Sequence, residues 1–388
     1  MSSTNPSASD RAVDAGRHPG SSPPTDPALA ELRVQIDRID RDLVNLLNHR
    51  SEIAVQIGRI KQASGLDIWS ASREEEVYAR AFEASQGPLP AETLRFIFRE
   101  LMSSSRSLQR QLRVACLGPK YSYSHLAAVA RFGESVEHVP LGSIAAVFEE
   151  VARRHVHFGI VPLENSTDGR SADTLDMFVR QPGLKIRAEV RLRVRHCLVG
   201  LGEWSQVRRV YSKAQAISQC RNWLGKNLPG VATVDVVSSA EAARIASTDH
   251  EVAAIASKPA ADAHGLRILV ENIEDQANNS TRFAVIAERG ERPTGRDKTT
   301  LILRLSNSAG TLARAIAPFE ENGVNMTWIE SFPTTEVTNQ LNPSYLFFAD
   351  IEGHHEDEPV IRALDGVRKH CDRLEILGSY PRSESVES

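Results

Sequence analysis

An arginine interrupts the apolar face of the first long helical segment. Apolar residues recur there in steps of three and four, which is the spacing of one helix face. This face consists of Leu32, Ile36, Ile39, Leu43, Leu46, Ile53, Ile57 and Ile60. The remaining position of the pattern is occupied by Arg50. A single arginine at such a place usually reaches to solvent, because a buried charge needs a partner. Charged companions on the same face favour a binding site instead.

Several polar residues have the spacing of such companions. Lys61 follows Arg50 by eleven residues, so it projects from nearly the same face roughly 16 Å further along. Arg33 lies about 25 Å from Arg50 by the same rise per residue, too far for one small ligand on a straight helix. If Arg33 takes part in the site, a second chain would therefore have to supply it. Ser105 and Gln109 stand at i and i+4 of a later helical segment and share a face.

A second set of polar side chains follows short apolar segments in the middle of the chain. The run FGIVPLENSTDG, residues 158–169, is an apolar strand followed by polar residues and the helical pattern TLDMFV. GPKYSYSH, SKAQ and SSAE are comparable clusters after other apolar segments, and NNSTRF comes just before the last one. Open α/β sheets bind ligands at the carboxyl ends of strands, where helix N-termini attract carboxylates. Local roles compete with this interpretation, since Ser238 with Glu241 fits a capping box and Asp173 or Thr174 a helix cap.

Composition limits what such sites can serve. A chain of 388 residues with 41% hydrophobic and 25% charged residues indicates a soluble protein of two or three domains. The net charge of −4 comes from interspersed signs, and no apolar run would span a bilayer, so nucleic acid and membrane are not expected partners. Four widely spaced cysteines predict no zinc site or disulfide framework, and we expect reduced thiols in the cytoplasm.

Changes in composition and in residue pattern along the chain predict four regions. Residues 1–27 are a polar, disordered tail. Residues 28–112 are all-helical, with three helices separated at SGLD and SQGPLP. Residues 113–290 alternate helical segments with seven apolar strands, namely RVACLG, SVEHVPL, FGIVPL, RRVYS, VATVDVV, EVAAIAS and RFAVIAE. Residues 298–382 follow a polar linker and have the order βαββαβ of a ferredoxin-like domain.

The helical region resembles the chorismate mutase domain at the front of bifunctional chorismate mutase-prephenate dehydratases. The matching runs are ELRVQIDRIDRDLVNLLNHRSEIAVQIGRIK, SREEEV and IFRELMSSSRSLQ. The resemblance implies a dimer whose substrate site is lined by Arg33, Arg50, Lys61, Ser70, Arg73, Glu74, Ser105 and Gln109, with Arg33 from the other chain. Ser70 stands where some members carry Asp. Lys61 and Gln109 would donate to the ether oxygen of chorismate and the arginines would bind its carboxylates.

The middle region is similar to prephenate dehydratases, which have two α/β lobes around a cleft, like periplasmic binding proteins. Five ordered segments carry the resemblance: GPKYSYSHLAA, VPLENSTDG, YSKAQAISQC, VAAIAS and NNSTRF. By resemblance, Thr281 would donate a hydrogen bond or proton to the leaving hydroxyl of prephenate, and the reaction would need no metal or cofactor. The other cleft candidates are Ser122, Ser124, Glu164, Asn165, Ser166, Thr167 and Arg282, the last either a carboxylate partner or a structural ion-pair member. Tyr121 stands where dehydratases usually have Gly, so it should narrow the cleft or change the turn. Lys213 and Ala214 stand where they commonly have His-Pro.

The C-terminal region resembles an ACT domain, a regulatory module that binds amino acids. AGTLARAI and ESFP match the two phenylalanine-binding segments of related dehydratases, which implies effector contacts at Gly310, Thr311, Leu312, Glu330 and Ser331. Phe332 stands where the usual motif has arginine. An apolar ring there would pack against an effector or against a neighbouring subunit.

These resemblances predict a bifunctional enzyme of phenylalanine biosynthesis that acts on chorismate and prephenate. It would be a homodimer or higher oligomer with phenylalanine as allosteric effector. A non-catalytic amino-acid-sensing regulator and a mutase with a degenerate dehydratase site are the alternatives. The joint presence of Lys61, Gln109 and Thr281 favours the enzyme.

Overall fold

The computed structural model describes residues 26–167, 169–333, 345–382 and 385–387. Residues 1–25 of the predicted tail lie outside the described residues. The chain divides into two compact units, residues 1–53 and residues 54–388. None of the helices in the described part of the chain is long and apolar enough to cross a membrane.

Three helices form the N-terminal part, as the two predicted breaks require. They are α1 (Pro27–Ala63), α2 (Ala71–Ala84) and α3 (Ala91–Gln109). The first turn of α2 is capped by Ser70, whose hydroxyl accepts a hydrogen bond from the Arg73 N–H at 3.3 Å. In the first unit the apolar face of α1 is open to solvent, with Ile39 62% and Leu46 67% exposed.

The rest of the chain is α/β. In chain order its elements are β1 (Arg113–Leu117), α4 (Tyr123–Phe132), β2 (Glu137–Leu141), α5 (Ile144–Ala152), β3 (Phe158–Asn165), β4 (Gly169–Arg170), α6 (Ala172–Arg180), β5 (Lys185–Arg193), β6 (Cys197–Gly200), a 3-10 turn (Trp204–Gln206), β7 (Arg209–Ser212), α7 (Ala214–Gln219), α8 (Arg221–Asn227), β8 (Ala232–Asp235), α9 (Ser239–Ala246), β9 (Val252–Ala256), α10 (Lys258–Ala263), β10 (Arg267–Val270), β11 (Ser280–Ala287), β12 (Asp297–Leu305), α11 (Thr311–Glu321), β13 (Met326–Pro333), β14 (Tyr345–Glu352), α12 (Glu358–Arg368), β15 (Arg373–Pro381) and β16 (Ser385–Glu387).

These strands form three sheets. The largest has the order β16-β5-β11-β3-β1-β2, with β4 paired to β3, and the second has the order β10-β6-β9-β7-β8. The third has the order β13-β14-β12-β15, all antiparallel, which is the ferredoxin-like arrangement predicted for the C-terminal region.

The packing of strand β3 explains why most of its sequence is a continuous apolar run. Phe158 and Ile160 pack into one core with α4, and Val161 and Leu163 pack into another with α5 and α6. Because both faces of the strand are covered, it has no solvated face that would need polar residues. Its polar residues, Glu164 and Asn165, occupy the last two positions of the strand.

Strand β5 is not among the seven strands predicted from apolar runs. Its sequence, KIRAEVRLR, alternates charged and apolar residues, which is the pattern of a half-exposed strand. Arg187 and Glu189 are nevertheless buried, each 4% exposed. Their charges are compensated by partners from other parts of the fold, and no local sequence pattern reveals those partners.

The C-terminal sheet packs against β5 through a backbone contact. A Cβ atom at Gly378 on β15 would lie 2.0 Å from the carbonyl oxygen of Ile186 on β5. Only glycine allows the two strands to approach so closely.

We expect Gly378→Ala to lower the free energy of unfolding by about 2 to 3 kcal/mol, because overpacking forces backbone to move. Gly225→Ala in α8 is the matched control, since its new Cβ would meet nothing within 4 Å. The control should be neutral or slightly stabilising, because alanine favours helix. Urea unfolding of both variants measures the difference, and equal stabilities would contradict the close contact.

Candidate active sites

A cavity of about 880 Å³ lies between the first two sheets. The polar segments that follow the strands meet there, as predicted for strand ends. Lining residues include Tyr121, Ser122, Ser124, Glu164, Asn165, Lys213, Gln219 and Thr281. Five of the cleft residues predicted from sequence are thus brought together: Ser122, Ser124, Glu164, Asn165 and Thr281. Their roles toward a substrate stay predictions.

Thr281 is fixed by its neighbour on the adjacent strand. It pairs with Asn165 in the register of β11 and β3, and its hydroxyl oxygen accepts a hydrogen bond from Asn165 Nδ2 at 2.8 Å. The same amide nitrogen also donates to Asn279 Oδ1 at 3.1 Å. Because the Thr281 oxygen acts as acceptor, its own hydrogen is left to donate toward a ligand.

Three buried polar residues that were not predicted as site residues extend this arrangement. Asn279 Nδ2 donates to Gln219 Oε1 at 2.9 Å, and His196 Nε2 lies 2.8 Å from the same oxygen. Gln219 and Asn279 fall within the segments YSKAQAISQC and NNSTRF, so their position in the sequence was the only available signal. They hold Asn165, and through it Thr281, in one orientation.

The remaining cleft candidates have local contacts. Ser122 caps α4, accepting from the His125 N–H at 3.3 Å, and donates to the Leu117 carbonyl at 2.8 Å. Ser166 accepts from the Ser280 N–H at 2.9 Å, and the Thr167 N–H donates to Asn165 Oδ1 at 2.9 Å. Ser166 and Thr167 therefore shape the turn beside the cavity.

Arg282 follows Thr281 on β11 and is buried among charges. Its Nε lies 2.8 Å from Glu189 Oε2 and its Nη2 lies 2.6 Å from Asp350 Oδ2, while Glu164 is 3.7 Å away. Burial alone would lower the pKa of Arg282, but Tyr380, Asp350 and Glu189 outweigh it and raise that pKa. The geometry places Arg282 in a structural ion-pair cluster, and direct contact with substrate stays a prediction.

Tyr121 keeps the backbone conformation expected of the glycine it replaces. Its φ of 67° is in the left-handed region, which costs a tyrosine more than a glycine. The ring lines the cavity and contacts His125 edge-on, with centroids 5.7 Å apart. Burial lowers the pKa of His125 to about 4, with smaller effects from His138 and Lys120, so the ring meets a neutral imidazole at neutral pH.

The residues predicted for the mutase are distributed over both compact units. In the first unit Arg33 is exposed, and Arg50 is half-buried with its pKa lowered by that burial. In the second unit, Lys61 Nζ donates to the Ile68 carbonyl at 3.0 Å, and burial lowers the pKa of Lys61. Arg73 is exposed and pairs with Glu76.

The side chain of Gln109 packs closely against α1 at Gly58, where the helix has no side chain. A Cβ at Gly58 would lie 2.5 Å from Gln109 Cγ. Among the described residues, nothing donates a hydrogen bond to the buried Gln109 Oε1. A buried acceptor without a donor is rare in native proteins, and a donor from a ligand or a second chain would satisfy it.

Glu74 and Ser105 are buried in contacts of their own. Glu74 Oε1 pairs with Arg106 Nη1, and Glu74 Oε2 pairs with Arg131 Nη1. Burial would raise the pKa of Glu74, but Arg131 and Arg106 outweigh it and hold the pKa below its ordinary value. Ser105 donates to the Leu101 carbonyl at 2.7 Å. Glu74 is therefore ionised, and its carboxylate is held from two sides.

Comparison with known families assigns the two parts of the chain. The family described as chorismate mutase type II matches residues 32–110, and the family described as prephenate dehydratase matches residues 114–291. The class of protein is thus a helical chorismate mutase domain followed by an α/β prephenate dehydratase domain.

A curated relative carries both parts in one chain. The bifunctional chorismate mutase/prephenate dehydratase of Aquifex aeolicus is 40% identical over 360 residues, covering 92% of this chain and 98% of the relative. The chain belongs to the family of bifunctional chorismate mutase/prephenate dehydratases and is an enzyme with both activities.

Two solved structures share the fold of about 70% of this chain. Prephenate dehydratase from Arthrobacter aurescens in complex with L-Phe is 29% identical, with a TM-score of 0.64, over 71% of this chain and 93% of that one. A protein described as GqqA, a novel type of quorum quenching acylase, is 32% identical, with a TM-score of 0.62, over 70% of this chain and 98% of that one.

Proposed function

We propose that residues 28–112 rearrange chorismate to prephenate and that residues 113–290 convert prephenate to phenylpyruvate, with residues 298–382 as an ACT domain that senses phenylalanine. The observation that carries the dehydratase assignment is the hydrogen bond of 2.8 Å from Asn165 to Thr281 inside the cleft. It orients a hydroxyl toward a cavity whose size suits a small dicarboxylate.

The second reaction removes the ring hydroxyl of prephenate as water and its ring carboxylate as CO2, and aromatisation drives it. The step needs a donor at the departing hydroxyl and groups that position two carboxylates. Thr281 is the donor, and Lys120 and Lys213, which also line the cavity, are the cations available to the carboxylates. Glu164 at the same wall is the alternative acid.

The first reaction is a pericyclic rearrangement in which negative charge grows on the ether oxygen of chorismate. No nucleophile is required, so positioning and fixed hydrogen-bond donors supply the catalysis. Lys61 and the amide nitrogen of Gln109 are those donors, and Arg33, Arg50 and Arg73 bind the carboxylates bidentately.

We expect Thr281→Val to lower dehydratase turnover about a hundredfold or more, the range of general acid catalysis, while the mutase continues. Given chorismate, this variant should accumulate prephenate, whereas the wild type releases phenylpyruvate. Thr248→Val changes an exposed threonine and is the matched control. Near-normal phenylpyruvate formation by Thr281→Val would assign the acid role to Glu164 or a cleft serine.

The dimer is proposed from the exposed face of α1. Within residues 27–53 this face consists of large apolar side chains, among them Ile39 at 62% and Leu46 at 67% exposed. A second copy of the helix has the same apolar spacing, and pairing the two would cover both faces. Such pairing brings Arg33 of one chain toward the site of the other.

A mixture of Arg33→Ala chains and Lys61→Ala chains should recover about a quarter of wild-type mutase activity. Half of the dimers are then mixed, and each mixed dimer has one site with both residues intact. Each variant alone should be nearly inactive as a mutase. No recovery, despite subunit exchange shown by differently tagged chains, would place Arg33 outside the site.

Phenylalanine sensing is supported by the C-terminal sheet and by the prephenate dehydratase of Arthrobacter aurescens, which is in complex with L-Phe. Gly310 has a φ of 80° at the N-terminus of α11, where Thr311 and Leu312 begin the helix. Phe332 packs within its own chain, and its contact with an effector or a neighbouring subunit stays a prediction. Its ring lies 6.3 Å from that of Phe348 and packs against the chain's own core.

A short path joins the effector segment to the dehydratase strand. Glu330 and Trp328 lie two residues apart on β13 and so share a face. The Trp328 ring lies 5.3 Å from the Arg282 guanidinium, and Trp328 is opposite Asp350 in the strand register. Arg282 is the residue after Thr281. A shift of β13 on effector binding would therefore be felt next to the catalytic hydroxyl.

We expect the double variant Lys298→Met, Asp350→Asn to weaken inhibition by phenylalanine at least about fivefold, since allosteric coupling is typically about 1 to 3 kcal/mol. The double change removes one cation and one anion, which keeps the buried cluster neutral. Arg362→Gln, which breaks the exposed pair with Glu358 on α12, is the control. Dehydratase rates at increasing phenylalanine measure the effect, and an unchanged titration would exclude this path.

A further inference from the structure

Trp69, which precedes α2, is buried in the dehydratase part of the second compact unit. It is 1% exposed, and its ring lies 5.0 Å from that of Phe132 and 4.8 Å from that of Phe158. The guanidinium groups of Arg131 and Arg187 also lie over this ring, at 4.9 and 5.4 Å from its centroid. The start of α2 is thus fixed by residues from α4, β3 and β5.

Charged residues of the dehydratase part also hold the first turn of α2. Arg131, in the last turn of α4, pairs with the Glu74 carboxylate. Glu291, which follows β11, accepts hydrogen bonds through Oε2 from Ser70 at 2.9 Å and from Ser72 at 3.2 Å. Its other oxygen, Oε1, accepts from Arg187 Nε at 2.6 Å. Both ends of this turn therefore bond to groups outside the helical region.

We propose that Arg131 and Glu291, residues of the dehydratase part, are positioning residues for the mutase reaction. They fix Glu74 and Ser70 in the orientation that the mutase site requires. This inference rests on the proposed mutase function and on the expectation from sequence that Glu74 and Ser70 line the chorismate site. It predicts that mutase activity depends on residues that belong to the other enzyme.

The charges explain why Arg131 matters to Glu74. A buried carboxylate needs compensation, and Arg106 and Arg131 each neutralise one of its oxygens. The oxygens keep further lone pairs, so an ionised Glu74 can still accept from a substrate hydroxyl. Without Arg131, burial is offset less, and the pKa of Glu74 rises.

The opposite arrangement is also testable. If the contact with Arg131 withheld Glu74 from substrate, removing it would raise mutase activity. The number of separate contacts on one turn favours positioning, since Trp69, Ser70, Ser72 and Glu74 are all bonded or packed against the dehydratase part.

The test is the mutase kcat/KM of Arg131→Gln between pH 5 and 8, with chorismate as substrate. We expect a loss of about tenfold or more, since a misplacement of about 1 Å can cost about a hundredfold. The fall of activity toward acid should begin at higher pH than in the wild type, because Glu74 protonates more easily. Arg131→Lys keeps the charge and should restore most of the activity.

Dehydratase activity on supplied prephenate, and its pH profile, should change less than twofold in Arg131→Gln on this proposal. Arg154→Gln, which removes an exposed pair with Glu288, is the matched control. A purely structural loss would lower both activities together and leave the acid side of the mutase profile in place. A parallel loss of both activities would overturn the proposal. Unchanged or increased mutase activity in Arg131→Gln would also overturn it.

Glu74→Gln separates this inference from the function on which it rests. If Glu74→Gln leaves the mutase unchanged, the proposed role of Glu74 is wrong. If Glu74→Gln is impaired but Arg131→Gln is not, only the positioning role is wrong. Should Arg131→Gln fail to fold, Glu291→Gln replaces it, and an unchanged mutase kcat/KM with chorismate would then overturn the proposal.

Discussion

The rest of the structure depends on two buried charges of strand β5. Arg187 and Glu189 are two residues apart, so they point to the same face of the sheet. Arg187 pairs with Asp67 and Glu291, and Glu189 pairs with Arg282 and Lys298. Leaving a buried charge without its partner typically costs about 3 to 5 kcal/mol. This is a large part of the free energy of unfolding of a domain. The segment before α2 and the C-terminal sheet must therefore lie where they neutralise β5.

These charges are balanced in two clusters, whose members are buried or nearly so except for the partly exposed Asp67. The first has three cations (Arg106, Arg131, Arg187) and three carboxylates (Asp67, Glu74, Glu291), and the second has two cations (Arg282, Lys298) and two carboxylates (Glu189, Asp350). Burial would raise the pKa of Glu189, but Arg282 and Lys298 outweigh it and hold the pKa below its usual value, as the arginines do for Glu74. A carboxylate with a depressed pKa stabilises the fold at neutral pH, and this stabilisation is lost as pH falls through the folded-state pKa.

Local sequence patterns predicted the parts of the fold that local forces determine. The three helices follow from apolar spacing and breaks, and the cleft follows from polar residues at strand ends. Strand β5 could not be predicted, because the burial of Arg187 depends on partners more than a hundred positions away, such as Glu291. The contact of Phe332 with Phe348 was missed for the same reason: sequence shows a ring, but which surface covers it depends on how β13 and β14 pair.

Helix α4 relates these charges to the two candidate sites. Its N-terminus carries Ser122 and Ser124 at the dehydratase cavity, and its last turn carries Arg131 beside Glu74. Nine residues of helix span about 14 Å between Ser122 and Arg131, and a helix of this length moves as a rigid body. If Arg131 has the proposed positioning role, a displacement of α4 by a ligand in the cleft reaches Glu74 directly. The two activities are then linked by helix α4 and by the buried ion pair of Arg131 with Glu74, because the two ends of the helix move together.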